Sequence, residues 1–208
     1  MPAHACRVCY SPCINPLLKV KLISLSMSRK YKFHNKEGLY FVSFATVNWI
    51  DVFVRPAYCD IIVESLNYCQ ANLGMRVCCW CIMPSHIHLI FNATNNNPDV
   101  VLGRFKEFTS KQIVKAISEN QQESRKEWLL WMFKRAAAKS SNVSTYQFWQ
   151  HNNKPIEIWS ADVIEQKADY LHNNPVEAGF VNEAWHWRYS SAIDYADGKG
   201  LVNVEYYK

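Results

Sequence analysis

Residues 75–93 read Met75-Arg-Val-Cys-Cys-Trp-Cys-Ile-Met-Pro-Ser-His-Ile-His-Leu-Ile-Phe-Asn-Ala93, and this stretch decides the fold. Residues 75–83 and 86–93 are each the length of a strand, rich in β-branched and bulky apolar side chains, and parted only by Pro84-Ser85. So short a break predicts a hairpin or a sharply bent connection in the centre of a sheet. Upstream, LYFVSFATV from Leu39 alternates Tyr40, Val42, Phe44 and Thr46 on one face with Phe41, Ser43, Ala45 and Val47 on the other, a third strand. Between them, Pro56 opens a helix that sets Ile61, Ile62, Leu66 and Cys69 at helical spacing and stops at Asn72-Leu73-Gly74.

Downstream, Asn95-Asn-Asn-Pro98 is a turn and Asp99 starts a helix. Over Val100 to Ile117 it directs Leu102, Phe105, Phe108, Ile113 and Ile117 inward and Arg104, Lys106, Lys111 and Lys115 outward. Residues 119–145 are charged and rich in Ala and Ser, with a short helical piece around Trp128 to Phe133; they read as an insertion or flexible connector. A last helix follows Ser160, a good N-cap with Asp162 and Glu165 in its early turns, and is expected to end at Asn174-Pro175. The β-α-β-β-α order predicts an α+β fold: a ferredoxin-like antiparallel sheet with helices on one face, plus an appended C-terminal helix.

The chain has 208 residues, 49% of them apolar and 14% aromatic, enough for one domain with a sizeable core. Its net charge of +5 is unevenly placed: residues 1–36 hold seven of the 23 Lys and Arg and no acid, leaving 16 basic against 18 acidic residues. The body is nearly neutral, so bulk charge does not establish a polyanion partner. Residues 1–26 differ in composition and read as a leader, with Met27 as the expected natural start, a domain over 27–202 and a tail over 203–208. His4, Cys6, Cys9 and Cys13 offer a competing zinc reading, but they crowd into ten residues without paired knuckles. Without a secretory signal, the eight cysteines read as reduced thiols and the location as cytoplasmic. The longest apolar stretch, Val77 to Pro98, is broken by Pro84-Ser85-His86, which argues against a membrane protein.

Two local patterns carry chemistry. In His86-Ile87-His88, strand alternation points both imidazoles one way, a pair able to hold a divalent cation with coordination positions left open. Tyr170 and Asn174 are four residues apart on the last helix, so both lie on one face. A phenol titrates near ~10 in water, so a nucleophilic Tyr needs an activated electrophile more than a strong base. Each pattern alone also suits an ordinary structural role. His172 is another candidate ligand, but residue i+2 points about 160° away from Tyr170 around a helix.

Taken together and in order, Cys81-Ile-Met-Pro-Ser-His-Ile-His-Leu-Ile-Phe91, Arg104-Phe-Lys-Glu-Phe-Thr-Ser110, Phe148-Trp-Gln150, Asp169-Tyr-Leu-His-Asn-Asn-Pro-Val-Glu-Ala-Gly179 and Arg188-Tyr-Ser-Ser-Ala192 resemble the REP-associated branch of the single-tyrosine HUH transposases. The resemblance spans roughly Lys30 to Val202. It implies a ferredoxin-like nuclease domain for single-stranded or hairpin DNA, in the cytoplasm at the nucleoid, with His86, His88 and Asn174 as ligands of Mg²⁺ or Mn²⁺. It implies Tyr170 as the nucleophile that forms a 5′-phosphotyrosine and frees a 3′-hydroxyl. Residues 1–26 and 119–145 match nothing in the family pattern.

For DNA contact the candidates are Arg29 and Lys30, with Lys32, before the first strand, and Arg104, Lys106, Lys111 and Lys115; ordinary solvated surface is an equal reading. Trp149, Trp159, Trp185 and Trp187 can stack bases or fill core. Three functions compete: the covalent DNA endonuclease and strand transferase; a domesticated hairpin-binding protein without turnover; and a His-x-His metallohydrolase in which Tyr170 is structural. Monomer and homodimer are both open.

Overall fold

The computed structural model describes residues 33–95, 97–140, 145–151 and 153–206. The expected leader, the zinc reading, Arg29, Lys30 and Lys32 lie outside the described residues. In chain order the elements are β1 Leu39–Ala45, α1 Pro56–Leu73, β2 Met75–Met83, β3 His86–Ala93, α2 Pro98–Glu119, α3 Lys126–Ala137, β4 Ile156–Ile158 and α4 Ala161–Glu177. The sheet is antiparallel with order β2-β3-β1-β4, the ferredoxin-like arrangement. Among the described residues, no helix is long and apolar enough to cross a membrane, and the cysteines form no disulfide.

The 75–93 stretch forms the expected hairpin, Met83 pairing with His86 across Pro84-Ser85. β2 lies at the edge of the sheet, however, and β3 takes an inner place, because β1 returns to pair with β3. The outer edge of β2 is covered by the C-terminal run. Ile82 donates to the Tyr189 carbonyl at 2.9 Å, Cys81 bridges Ser190, Trp80 donates to Ser191 Oγ at 2.9 Å, and Glu205 donates to the Val77 carbonyl at 2.8 Å. Residues 203–206 of the tail thus belong to the folded body.

Strand alternation divides the core into two layers. Tyr40, Val42 and Phe44 of β1 and Ile87, Leu89 and Phe91 of β3 meet α1, α2 and α3. Leu39 and Phe41, with Cys79, Cys81 and Ile90, meet Ala168 and Leu171 of α4 on the opposite side. α1 starts on Pro56 and stops at Gly74, whose φ of 70° is a left-handed value that favours glycine. On α2, Phe108 is 54% exposed, contrary to the periodicity reading, while Val101, Thr109 and Val114 point inward. The helix packs along a narrower stripe, which leaves Phe108 outside it.

Within the segment expected to be an insertion or flexible connector, residues 126–137 form α3. α3 buries Leu129, Phe133 and Ala137, and the turn before it is pinned by Glu123, a carboxylate 3% exposed. Arg55 Nε bonds this carboxylate at 2.5 Å and Tyr58 Oη at 3.2 Å. Burial alone would raise the Glu123 carboxyl, but its bonds from Arg55 and Arg125 outweigh that and hold it below the ordinary value.

α4 also runs further than expected, through Pro175 to Glu177. The missing proline N–H falls in the last turns, and the end is closed two residues on. Phe180 donates to Pro175 O and Gly179 to Val176 O, both at 2.9 Å, with Gly179 at φ 74°. That pair of bonds is a Schellman closure, which lets a proline precede the stop by one turn. Ser160 caps the other end, its hydroxyl accepting from Val163 N at 3.3 Å.

Candidate active site

The layer under α4 gathers the chemistry. On β3, alternation sends His86 and His88 toward α4, with Ala45 and Ser43 of β1 opposite them on one side and Met83 and Cys81 of β2 on the other. The two imidazole rings are 4.8 Å apart, nearly perpendicular at 82°. Tyr170 reaches them from α4, its ring 5.3 Å from that of His88 and edge-on at 72°. Phe41 stacks on His88 at 5.6 Å and backs Tyr170 at 6.1 Å. The three residues singled out from distant parts of the sequence thus form one aromatic cluster, with Tyr170 left 46% exposed.

His88 is only 3% exposed, and neither of its ring nitrogens has a hydrogen-bond partner. Burial, and secondarily the neighbouring His86, pushes its pKa down to about 3. Burial also lowers His86, against the opposing pull of the Asp51 carboxylate. Its Nδ1 lies 3.2 Å from Ser85 Oγ. Both rings are therefore neutral near pH 7, the form in which imidazole nitrogens serve as metal ligands. A buried polar atom without a partner costs about 1–3 kcal/mol, and His88 holds two of them against the layer that carries Tyr170. A divalent cation with open coordination positions fits this donor pair. Among the described residues no group of three or more His, Cys, Asp or Glu surrounds such a position, so further ligands would come from other oxygen donors.

Asn174 lies one turn beyond Tyr170, and its Nδ2 donates to the Tyr170 carbonyl at 2.7 Å. The nitrogen of the amide is thereby engaged within the helix, which leaves Oδ1 as its acceptor atom. His172 faces elsewhere, as the helical spacing implies: it is buried, with Nε2 2.8 Å from Ser191 Oγ and its ring 5.0 Å from that of Tyr195. Burial lowers it to about 4.

The basic residues fall differently. Arg104, Lys111 and Lys115 are exposed on α2, the layer across the sheet from Tyr170. Lys111 pairs with Glu107 at 2.6 Å and Lys115 with Glu119 at 3.9 Å, ordinary surface pairs. Lys106 points inward, not outward. Its ammonium donates to the Gln150 carbonyl at 3.0 Å and to Asn153 Oδ1, and sits 5.2 Å from the Phe44 ring centre. Burial lowers it to about 8. It ties α2 to the strand-like segment beside β1, a structural role. Trp149 is core, Trp187 is half-buried and donates to Ile82 O at 2.9 Å, while Trp159 and Trp185 are exposed.

Two residues that the sequence reading passed over belong to this region. Lys167 lies one turn before Tyr170, its ammonium 6.0 Å from the Tyr170 ring and 5.5 Å from that of Phe41. Its i, i+3 spacing to Tyr170 was the available signal. Trp49 sets its ring 5.3 Å from that of His86, and nothing in its local sequence announces this.

Fold and site together define a ferredoxin-like α+β domain that brings a tyrosine from an appended helix to a paired-histidine strand. Among solved structures, the chain is similar to a REP-associated tyrosine transposase bound to a REP hairpin. The two share 17% identity at a TM-score of 0.58, over 86% of this chain and 92% of that one. At that identity the likeness is one of fold. A candidate transposase from Deinococcus radiodurans R1 aligns at TM-score 0.41 and 16% identity, over 70% of this chain and 97% of that one. No protein-family model and no curated protein matches the chain.

Proposed function

We propose that this protein is a metal-dependent endonuclease and strand transferase for single-stranded DNA beside hairpins, working through Tyr170. The observation that carries the reading is the edge-on approach of the exposed Tyr170 ring to the buried, unpartnered His88, with His86 at its side. The shared fold of a transposase bound to a REP hairpin supports it. So does the order of the five sequence motifs.

His86, His88 and the Asn174 amide oxygen would hold Mg²⁺ or Mn²⁺, which when bound supplies Lewis acidity at the scissile phosphate. The chain's own residues do the rest. Tyr170 Oη attacks phosphorus and loses its proton to water; the bond from phosphorus to the 3′ oxygen breaks, and that oxygen leaves as a 3′-hydroxyl on taking up a proton. The 5′-phosphotyrosine keeps the bond energy, so attack by a 3′-hydroxyl can reverse the step and join strands. Phe41 restricts where the Tyr170 ring can sit. Lys167 contributes positive charge beside the entering phosphate.

The test is covalent capture. Incubated with Mn²⁺ and a labelled oligonucleotide carrying a hairpin and single-stranded flanks, the protein should yield an adduct stable to denaturation. Tyr170→Phe should lose it by about 10³-fold or more, the scale on which a covalent nucleophile is missed, while still binding the hairpin. An adduct undiminished in Tyr170→Phe, or hairpin binding without any adduct in the parent protein, overturns the proposal.

A further inference from the structure

The turn after β1 is costly in two ways. Asn48 and Trp49 both have left-handed backbone, φ 54° and 55°, and neither is glycine. For a bulky residue this conformation costs on the order of 1 kcal/mol or more, and such strain persists where surrounding structure enforces it. It is enforced here: Thr46 N donates to Ser85 O and Phe53 N to Pro84 O, each at 2.9 Å, and Val47 N donates to Phe148 O at 2.8 Å. What the strained turn displays is an indole 55% exposed to solvent, one edge against His86.

Beyond Trp49 opens a cavity of about 530 Å³, lined among others by Asn48, Arg135, Lys139, Gln147 and Gln150. Arg135 and Lys139 are four residues apart on one face of the helical run at the end of α3, both exposed. Neither has a carboxylate partner among the described residues. The side-chain nitrogens of Gln147 and Gln150 donate to the carbonyls of Trp149 and Thr46, at 3.3 and 3.0 Å, which leaves their oxygens as acceptors. The cavity therefore combines an open aromatic plane, two cations without carboxylate partners, Arg135 also resting 5.1 Å from the Trp131 ring centre, and amide acceptors at the scale of one or two nucleotides.

We infer that Trp49 and the Arg135–Lys139 cavity form a subsite for an unpaired nucleotide next to the scissile phosphate, the base stacked on the indole and the backbone phosphates held by α3. This rests on the proposed nuclease function and deepens it, because it selects single-stranded flank over duplex: only an unstacked base offers a free face to the indole.

The subsite is tested by metal-free binding in the Tyr170→Phe background, comparing a hairpin alone with the same hairpin carrying unpaired flanks. The ratio of the two Kd values is the contribution of the flank. Trp49→Ala should shrink that ratio by about fivefold or more, the range of one base–aromatic stack, with bare-hairpin affinity unchanged. Trp49→Gly, which suits a left-handed turn, should do the same without added strain, and Trp49→Phe should keep most of the ratio. Arg135→Gln with Lys139→Gln should lower the salt slope of flank binding by about one to two. A ratio unchanged in both Trp49→Ala and Trp49→Gly overturns the subsite, as does equal loss for the bare hairpin. Adduct formation with Mn²⁺ by the protein with Tyr170 intact is read separately. Its presence beside an unaffected ratio sinks the subsite alone, and its absence sinks the nuclease reading.

Discussion

The two faces of the sheet are built from the same strands but to different standards. Toward α1 and α2 the residues are aliphatic, aromatic or thiol-bearing and covered, from Tyr40 and Phe44 to Cys59, Phe91 and Phe105, closed further by α3. Toward α4 the cover is one helix deep. It leaves Tyr170 half in solvent and buries an imidazole without partners. Alternation along a strand lets one face carry stability while the other gives some up to hold reactive groups in place.

The comparison breaks first if the two faces respond alike to mutation. Phe105→Ala, on the covered face, should destabilise by about 3–5 kcal/mol, measured by chemical denaturation. A cost below about 1 kcal/mol would mean that this face is not the main source of stability.

A second check uses pH. His172, on the buried side of α4, titrates near 6.5 when unfolded and is held to about 4 in the fold. Below about pH 6.5 the unfolded chain takes up a proton that the folded chain refuses, so stability should fall as pH drops toward 4 and this contribution should then level off. By pH 5 the loss from this residue should be roughly 2 kcal/mol, and His172→Gln should remove that share of the slope while leaving the share due to His88, which burial also holds neutral. Denaturation midpoints independent of pH between 6.5 and 5 would contradict the burial of neutral histidine on this face.

The smallest expected effect is also the most diagnostic, because its sign is unusual. His88→Leu removes two buried nitrogens without partners and should raise metal-free stability by about 1–2 kcal/mol, while abolishing the Mn²⁺-dependent adduct. A loss of stability would mean that the His88 ring is better satisfied than its surroundings indicate.

Legibility in the sequence followed element length and periodicity. The two long strands, their two-residue turn and α1 were readable to within a residue or two, because alternation and Gly74 leave strong local signals. β4 was not. Ile156–Ile158 is three residues long, and β1 supplies its partners from more than a hundred positions away. α3 was obscured because exposed Trp128 and Trp131 flank the buried Leu129 and Phe133, which blurs the periodicity. The inward turn of Lys106 depends on acceptors at Gln150 and Asn153, a tertiary fact invisible from α2 alone. At the site, His86, His88 and Tyr170 were legible as motifs, and the geometry brings them together. Lys167 and Trp49 were not singled out, because one acts only through helix spacing to Tyr170 and the other through a turn that docks beside the hairpin.

The way the chain finishes also protects what it began. β2 is nine residues of nearly unbroken apolar and sulfur-bearing side chains at the rim of the sheet, the kind of border on which foreign chains readily crystallise into aggregates. Trp187, Tyr189, Ser190, Ser191, Tyr195 and Glu205 bond along that border like a hem. A molecule that lost this seam would expose the edge of its most apolar strand, so the Arg188-Tyr-Ser-Ser-Ala192 signature completes the sheet border.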